Sequence, residues 1–431
     1  MRASRLFGVL LGVAVAMGGA GSARAEDVIA IRDARIVTVS GPTLERGTVV
    51  IRGVSIAEVG ETVAVPPGAT VVDGRGLVVY PGLVDASSGV GLTEVPGVSM
   101  SDDYSEIGEI TPHLLAFNAF HVDSAYVAID RTAGVTTVVS SPSGGMLPGQ
   151  SAIMSLAGWT AGEMAVERRG ALVLDYPKLL DFDAPPYQRR QRPFLDNRPV
   201  PVRIQELKDF FAAARRHAAM RSGAPAGAAD LERDARYEAV QPALQGRQTV
   251  VIAADSEIDM RAAVAFARAE KLPRYALLGA ADAWKITGFL KENRVPVILG
   301  NIDRLPIRED DPVDIFCRTP ALLHAEGVPF ALASRTPSTD ARALRHQLGL
   351  AVACGLPRDA ALRSLALAPA EILGVADRLG SIEKGKRADL VVYDGDILEY
   401  GTHLRHLFIN GKAVPLTSRY TELYDRYKDR R

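Results

Sequence analysis

Between Val28 and Val72 the chain alternates apolar and polar positions in short runs: Val28–Ile31, Ala34–Val39, Thr48–Ile51, Ile56–Val59 and Thr70–Val72. Gly47, Gly53, Gly60, Gly68 and Gly74 punctuate them, and a period of two broken by glycine predicts hairpins in a small β layer. The same texture returns at Ala388–Tyr393 and Leu407–Val414. Strands so far apart in sequence would be unpaired edges unless they join the first group, so one β-sandwich built from both chain ends is expected. In the middle the pattern changes. Val135–Val139, Val250–Ala253, Tyr275–Leu278, Val297–Leu299 and Phe330–Ala333 are wholly apolar or β-rich, and segments of helical period such as Met260–Lys271 and Ala283–Asn293 follow the later ones. That alternation predicts an α/β protein whose parallel strands form a barrel, with reactive groups at their carboxyl ends.

Residues 1–25 carry Arg2 and Arg5, an apolar run from Leu6 to Met17, and Ala23-Arg24-Ala25, the pattern of a secretory signal. The run is shorter than the roughly 20 residues that span a bilayer. A periplasmic or secreted protein with no stable membrane span is expected. Removing the three arginines of that segment takes the net charge from -1 to -4, which offers no basic surface for nucleic acid. Cys317 and Cys354 are the only cysteines, and both a disulfide and two buried thiols remain open. The stretches 183–200, rich in Pro and Arg, and 222–230, rich in Gly, Ala and Pro, read as excursions from the core. Tyr420, Tyr424 and Tyr427 fall on one face of an expected terminal helix over 418–431.

Several motifs resemble the amidohydrolase superfamily, particularly its imidazolonepropionase-like branch. They are Gly47–Ile51, Pro81-Gly82-Leu83-Val84-Asp85, Ala133–Val138, Ala351–Pro357, Ala366–Gly374 and Gly380–Val392. The resemblance implies a (β/α)8 barrel over 81–385, a composite sandwich over 26–80 and 386–417, and hydrolysis of non-peptide C–N bonds such as those of cyclic amides. It also implies a divalent metal held by His-x-His after the first barrel strand, a carboxylate or modified lysine after the fourth, single histidines after the fifth and sixth, and an aspartate after the eighth. In register those positions hold Ser87, Gly89, Ala253, Leu278 and Arg335, none of them a metal ligand. The fourth-strand position does not align, and Lys178 is the nearest lysine. The metal supplies the activated water in such enzymes, so a degenerate, metal-free protein binding a ligand or partner is expected.

Asp85 is retained and is a candidate general base, with Arg335 as the electrophile beside it; the alternative role for Asp85 is to fix the local turn. Ser87 is a nucleophile only if a base lies beside it. Gly144 and Gly145, in the turn after Val135–Val139, together with Ser87 and Arg335 form a candidate anion-binding mouth. Asp255, Glu257, Asp259 and Asp303 at strand ends could form a hard-metal site of another kind, although helix capping accounts for most of them. The seven histidines read as solvated or capping, although His113 and His121 could share a helix face. Two further readings stay open: an active enzyme without metal or with a relocated one, and a non-catalytic subunit that assembles with itself or an intact homologue.

Overall fold

A computed structural model describes residues 28–95, 98–178, 198–223, 233–335 and 341–430. The signal pattern and most of the stretches 183–200 and 222–230 lie outside these residues. Strands β1 (Val28–Ile36), β2 (Leu44–Arg52), β3 (Ser55–Gly60), β4 (Thr70–Asp73) and β5 (Val78–Pro81) share one eight-stranded sheet with β16 (Leu390–Tyr393), β17 (Leu404–Ile409) and β18 (Lys412–Ala413). The chain ends meet where β5 runs antiparallel to β16, Tyr80 opposite Val391. The two runs expected before Val39 are a single strand. Its register shifts between Ile31 and Ala34, with Asp33 at φ 59, the mark of a β-bulge. The expected run Leu407–Val414 is instead a hairpin, since Asn410 and Gly411 at φ 53 and 72 supply the two left-handed residues of a tight turn. Ile31, Ile51, Val79, Leu390, Val392 and Phe408 pack together on one face of this sheet.

Two further sheets carry the middle of the chain. In one, β6 (Leu83–Ser88) runs parallel to β7 (Val135–Ser140), which continues antiparallel to β9 (Ala152–Ser155) and then β10 (Ala165–Glu167). In the other, β11 (Leu172–Asp175), β12 (Val250–Ala254), β13 (Tyr275–Gly279), β14 (Val297–Leu299) and β15 (Phe330–Leu332) are all parallel, with β8 (Gly149–Gln150) antiparallel on β11. The fold is therefore mixed α/β, and antiparallel β8 and β9 interrupt the parallel run between β7 and β11. The sheets approach at two seams. At one, Ser151 N–H donates to the Ala171 carbonyl at 2.9 Å; at the other, Arg335 N–H donates to the Ser87 carbonyl at 2.9 Å.

Strand residues sort by parity, because neighbours in a strand point to opposite faces. Ala86, Val139, Val251, Leu278, Ile298 and Ala331 form one apolar cluster, while Leu172, Ile252, Leu277 and Val297 join the cluster that includes the helices. Burial on both faces explains why these runs read as unbroken apolar stretches. Ser256 starts the helix Glu257–Ala269 by accepting from Asp259 N–H, earlier than the Met260 expected. The periodic stretch Ala283–Asn293 splits into a short 3-10 turn and the helix Thr287–Glu292.

Cys317, in the helix Ile315–Glu326, is disulfide-bonded to Cys354 at the end of the helix Leu344–Ala353. The terminal helix Arg419–Tyr427 forms behind a Ser418–Thr421 capping box, but its tyrosines do not dock on the core. They remain 45–68% exposed, and cations cover their rings instead: Arg342 over Tyr420, Lys428 over Tyr424 and Arg430 over Tyr427. Among the described residues no helix is long and apolar enough to cross a membrane.

Candidate functional site at the strand ends

The carboxyl ends of β6, β11, β12 and β15 carry an interlocked set of polar side chains. Asp85, in β6, is fully buried and accepts from Ser87 N–H at 3.3 Å, Ser334 N–H at 3.0 Å and the Ser334 hydroxyl at 2.5 Å. Burial pushes its carboxyl up to about 6, although the Ser334 and Ser87 hydrogen bonds pull the other way. Ser334 lies two residues past β15, so Asp85 ties the first strand of one sheet to the last strand of the other. Its partners are all neutral donors.

Arg335, next in the chain, sits at φ 51 and directs Nη1 to Asp255 Oδ1 at 2.7 Å. Burial alone would raise the Asp255 carboxyl, but the guanidinium wins and holds it below the usual carboxylate range, with Lys178 and Arg304 adding to the pull. The end of β13 is shaped to admit this pair: Gly279 adopts φ 89, and a Cβ there would collide with both Arg335 and Asp255. Asp175 ends β11 opposite Ala253. Its carboxyl is raised, by burial first, with Arg335 and the Gly144 N–H acting against it.

Each expected residue now has a place. Asp85 and Arg335 are adjacent in this network but do not pair, since Asp85 is held by Ser87 and Ser334. The proposed base and electrophile are therefore not brought together. Ser87 is buried, with its hydroxyl 3.4 Å from that of Ser141, and among the described residues no imidazole or amine bonds to it, so it lacks the base a nucleophile requires. The Gly144 backbone lies close enough to Asp175 to lower its carboxyl, and Gly145 turns tightly against the Gly108–Glu109 backbone. That turn is committed to internal contacts rather than open to an external anion. Lys178 is exposed.

A divalent metal at this place would need three or more donors. Ser87 and Gly89 offer no imidazole, Leu278 is part of the apolar cluster with Ala253 packed on it, and Arg335 brings a permanent positive charge. Among the described residues no three His, Cys, Asp or Glu side chains gather as ligands. All seven histidines lie within those residues, and none bonds to Asp85, Asp255 or Arg335 in the contacts of those side chains. His121 pairs with Asp103, His217 packs at a tilt against Tyr237 and His346 against Tyr400, and His403 pairs with Asp394. His113 and His121 flank the short helix Ala116–Ala119 in loops and share no helix face. The residues present do not fit the metal.

Sequence reasoning missed Asp175, Arg304 and the pairing of Asp255. Asp255 had been read as a helix cap, but Ser256 takes that role. The available signal was a single carboxylate directly after the apolar runs Leu172–Leu174 and Val250–Ala254.

The placement of the polar set at the ends of parallel strands defines an α/β protein of amidohydrolase-like fold. It superposes on an amidohydrolase from Thermotoga maritima MSB8 with a TM-score of 0.80, at 24% identity over 91% of this chain and all of that one. Molinate hydrolase gives a TM-score of 0.56 at 16% identity, over 91% of this chain and 95% of the other. Residues 290–415 match the family model described as the amidohydrolase family. Over 372 residues the chain is 26% identical to amidohydrolase tasK of Hapsidospora irregularis, covering 81% of this chain and 37% of that protein. The chain thus spans little more than a third of that relative's length. These likenesses support an amidohydrolase-superfamily assignment, with residues 290–415 matching the family model itself.

Proposed function

We propose that this chain is a degenerate amidohydrolase-superfamily member that binds a ligand at its strand ends without metal-dependent hydrolysis. The observation carrying this reading is the Arg335–Asp255 ion pair at the end of β15, where the family resemblance implies a metal-binding aspartate. A guanidinium repels a divalent cation and itself neutralises the nearest carboxylate. Without the metal there is no activated water, and neither Asp85 nor Ser87 is positioned to replace it.

The same reading takes the two central sheets as one (β/α) barrel, closed through Asp85–Ser334 and Ser151–Ala171, with the eight-stranded sheet as its composite companion. Export to an oxidising compartment fits both the signal pattern of residues 1–25 and the Cys317–Cys354 disulfide. Incubation with cyclic amides in the presence of zinc or manganese should give no turnover above buffer. Turnover that rises with metal would overturn the proposal.

A second reading, that the chain works as a subunit beside an intact homologue, draws on the relative from Hapsidospora irregularis. More than half of that protein lies outside the aligned region, so the corresponding module there is part of a longer chain. Co-purification with a histidine-complete homologue from the native source is expected on this reading, and isolation as a lone species speaks against it.

A further inference from the structure

Two exposed surfaces of this chain have opposite character. The first is the terminal helix Arg419–Tyr427, in which no residue is buried. Its tyrosine rings lie under Arg342, Lys428 and Arg430, and Arg419 and Arg426 are exposed on the same helix, so an aromatic face is studded with cations. Over residues 418–431 five lysines and arginines stand against three carboxylates, and Arg342 adds a further cation. The second surface is the loop from Asp303 to Asp314, which follows β14 at the strand-end face. Leu305 is 79% and Val313 78% exposed on it. Arg308 binds Asp282 at 2.7 and 2.9 Å, Lys285 reaches Asp311 at 3.2 Å, and Arg318 lies 3.6 Å from Asp314, so the loop is pinned in one shape. Asp303, Glu309 and Asp310 are exposed and make no ion pair among the described residues, against Arg304, which lies over Phe316. On the loop after β6, at the same end, the stretch from Glu94 to Glu109 holds five carboxylates and no lysine or arginine. Arg203 approaches Glu109 and His121 pairs with Asp103, and the excess there stays acidic.

We propose that the terminal helix of one copy of this chain docks on the acidic loop 303–314 of a second copy. Large aliphatic side chains set among carboxylates complement tyrosine rings set among cations: the apolar parts cover one another while the charges steer and orient the encounter. The helix and the loop are different surfaces, so the contact is heterologous. It propagates head to tail into a ring or a filament instead of stopping at a two-fold dimer. A nine-residue helix is a small contact, which makes the assembly reversible and sensitive to salt. The inference is independent of the ligand-binding reading above, since neither surface includes Asp85, Asp255 or Arg335.

Sedimentation velocity on the full chain, over about a hundredfold range of concentration in low and in high salt, tests it. The weight-average mass is expected to rise above that of the monomer with concentration and to fall back in high salt. Reversing the loop with Glu309→Lys and Asp310→Lys, or the helix with Arg426→Glu and Lys428→Glu, should weaken association roughly tenfold or more. Mixing the two double variants should restore it, because each then meets the opposite charge on its neighbour at both contacts. That recovery also shows that both variants fold. A chain that stays monomeric at every concentration overturns the proposal, even if its loop captures a foreign basic peptide. So does association that the reversals leave unchanged, or that mixing fails to restore.

Discussion

Two buried ionic networks in this molecule differ in what they preserve. At the junction of the eight-stranded sheet with the central strands, Asp389 is held by Arg387 at 3.2 Å and by Asn410 N–H at 2.7 Å, while Asn410 reaches Ser155 and Ala157 across the junction. Asp389 belongs to the motif Gly380–Val392, which keeps its family resemblance. At the strand ends the resemblance is carried by Asp85, and the positions around it hold Ser87, Gly89, Ala253, Leu278 and Arg335. The contrast teaches that scaffold and chemistry are constrained separately. The junction residues bond across the layers of the fold, whereas the strand ends are filled by an ion pair and apolar side chains.

If that is right, the junction should be the more fragile of the two. Arg387 is 19% and Asp389 5% exposed, against 33% and 12% for Arg335 and Asp255. Arg387→Met leaves a buried carboxylate unpaired and is expected to cost about 4 kcal/mol in urea unfolding. A loss no greater than that of Arg335→Met would erase the distinction.

Asp85 sharpens the comparison through pH, because it lacks the cation that Asp389 has. Its native carboxyl, at about 6 against 3.8 for an ordinary aspartate, binds a proton more tightly than the unfolded chain does. The native state is therefore favoured below pH 4, and that advantage is lost as pH rises through 6, a swing of about 3 kcal/mol. Stability measured from pH 4 to 7 should show this fall in the wild type and lose it in Asp85→Asn. An identical slope in both would show that the buried carboxyl is not what titrates.

Arg335→Met should cost less, about 2 kcal/mol, since the pair is partly solvated and screened. Adding Asp255→Asn should recover part of that loss, and a double-mutant cycle measures the coupling. Smallest is Gly279→Ala, about 1 kcal/mol, from a left-handed φ and a Cβ that displaces the pair. If thermal melting showed it neutral, the close fit of Gly279 to Arg335 would be wrong.

The sheets were legible because their signal is local. Alternation announced the eight-stranded sheet, apolar runs announced the central strands, and the Asn410-Gly411 pair is a hairpin signal inside the run Leu407–Val414. The substitutions at Ser87 and Arg335 were likewise visible from short motifs. What stayed hidden was partnership. Arg335 and Asp255 lie 80 positions apart, Asp85 and Ser334 lie 249, and no periodicity links either pair. Asp175 escaped notice because a four-residue strand followed by Pro177 gives too little pattern to fix a register.

The central claim is that the strand ends have exchanged a metal for an ion pair. Elemental analysis of the purified protein by inductively coupled plasma mass spectrometry, with thermal-shift titration by zinc, iron and manganese, tests it most directly. The account predicts less than about a tenth of an equivalent of metal and no concentration-dependent rise in Tm. Stoichiometric metal that survives dialysis, or stabilisation that saturates with added ion, would contradict it.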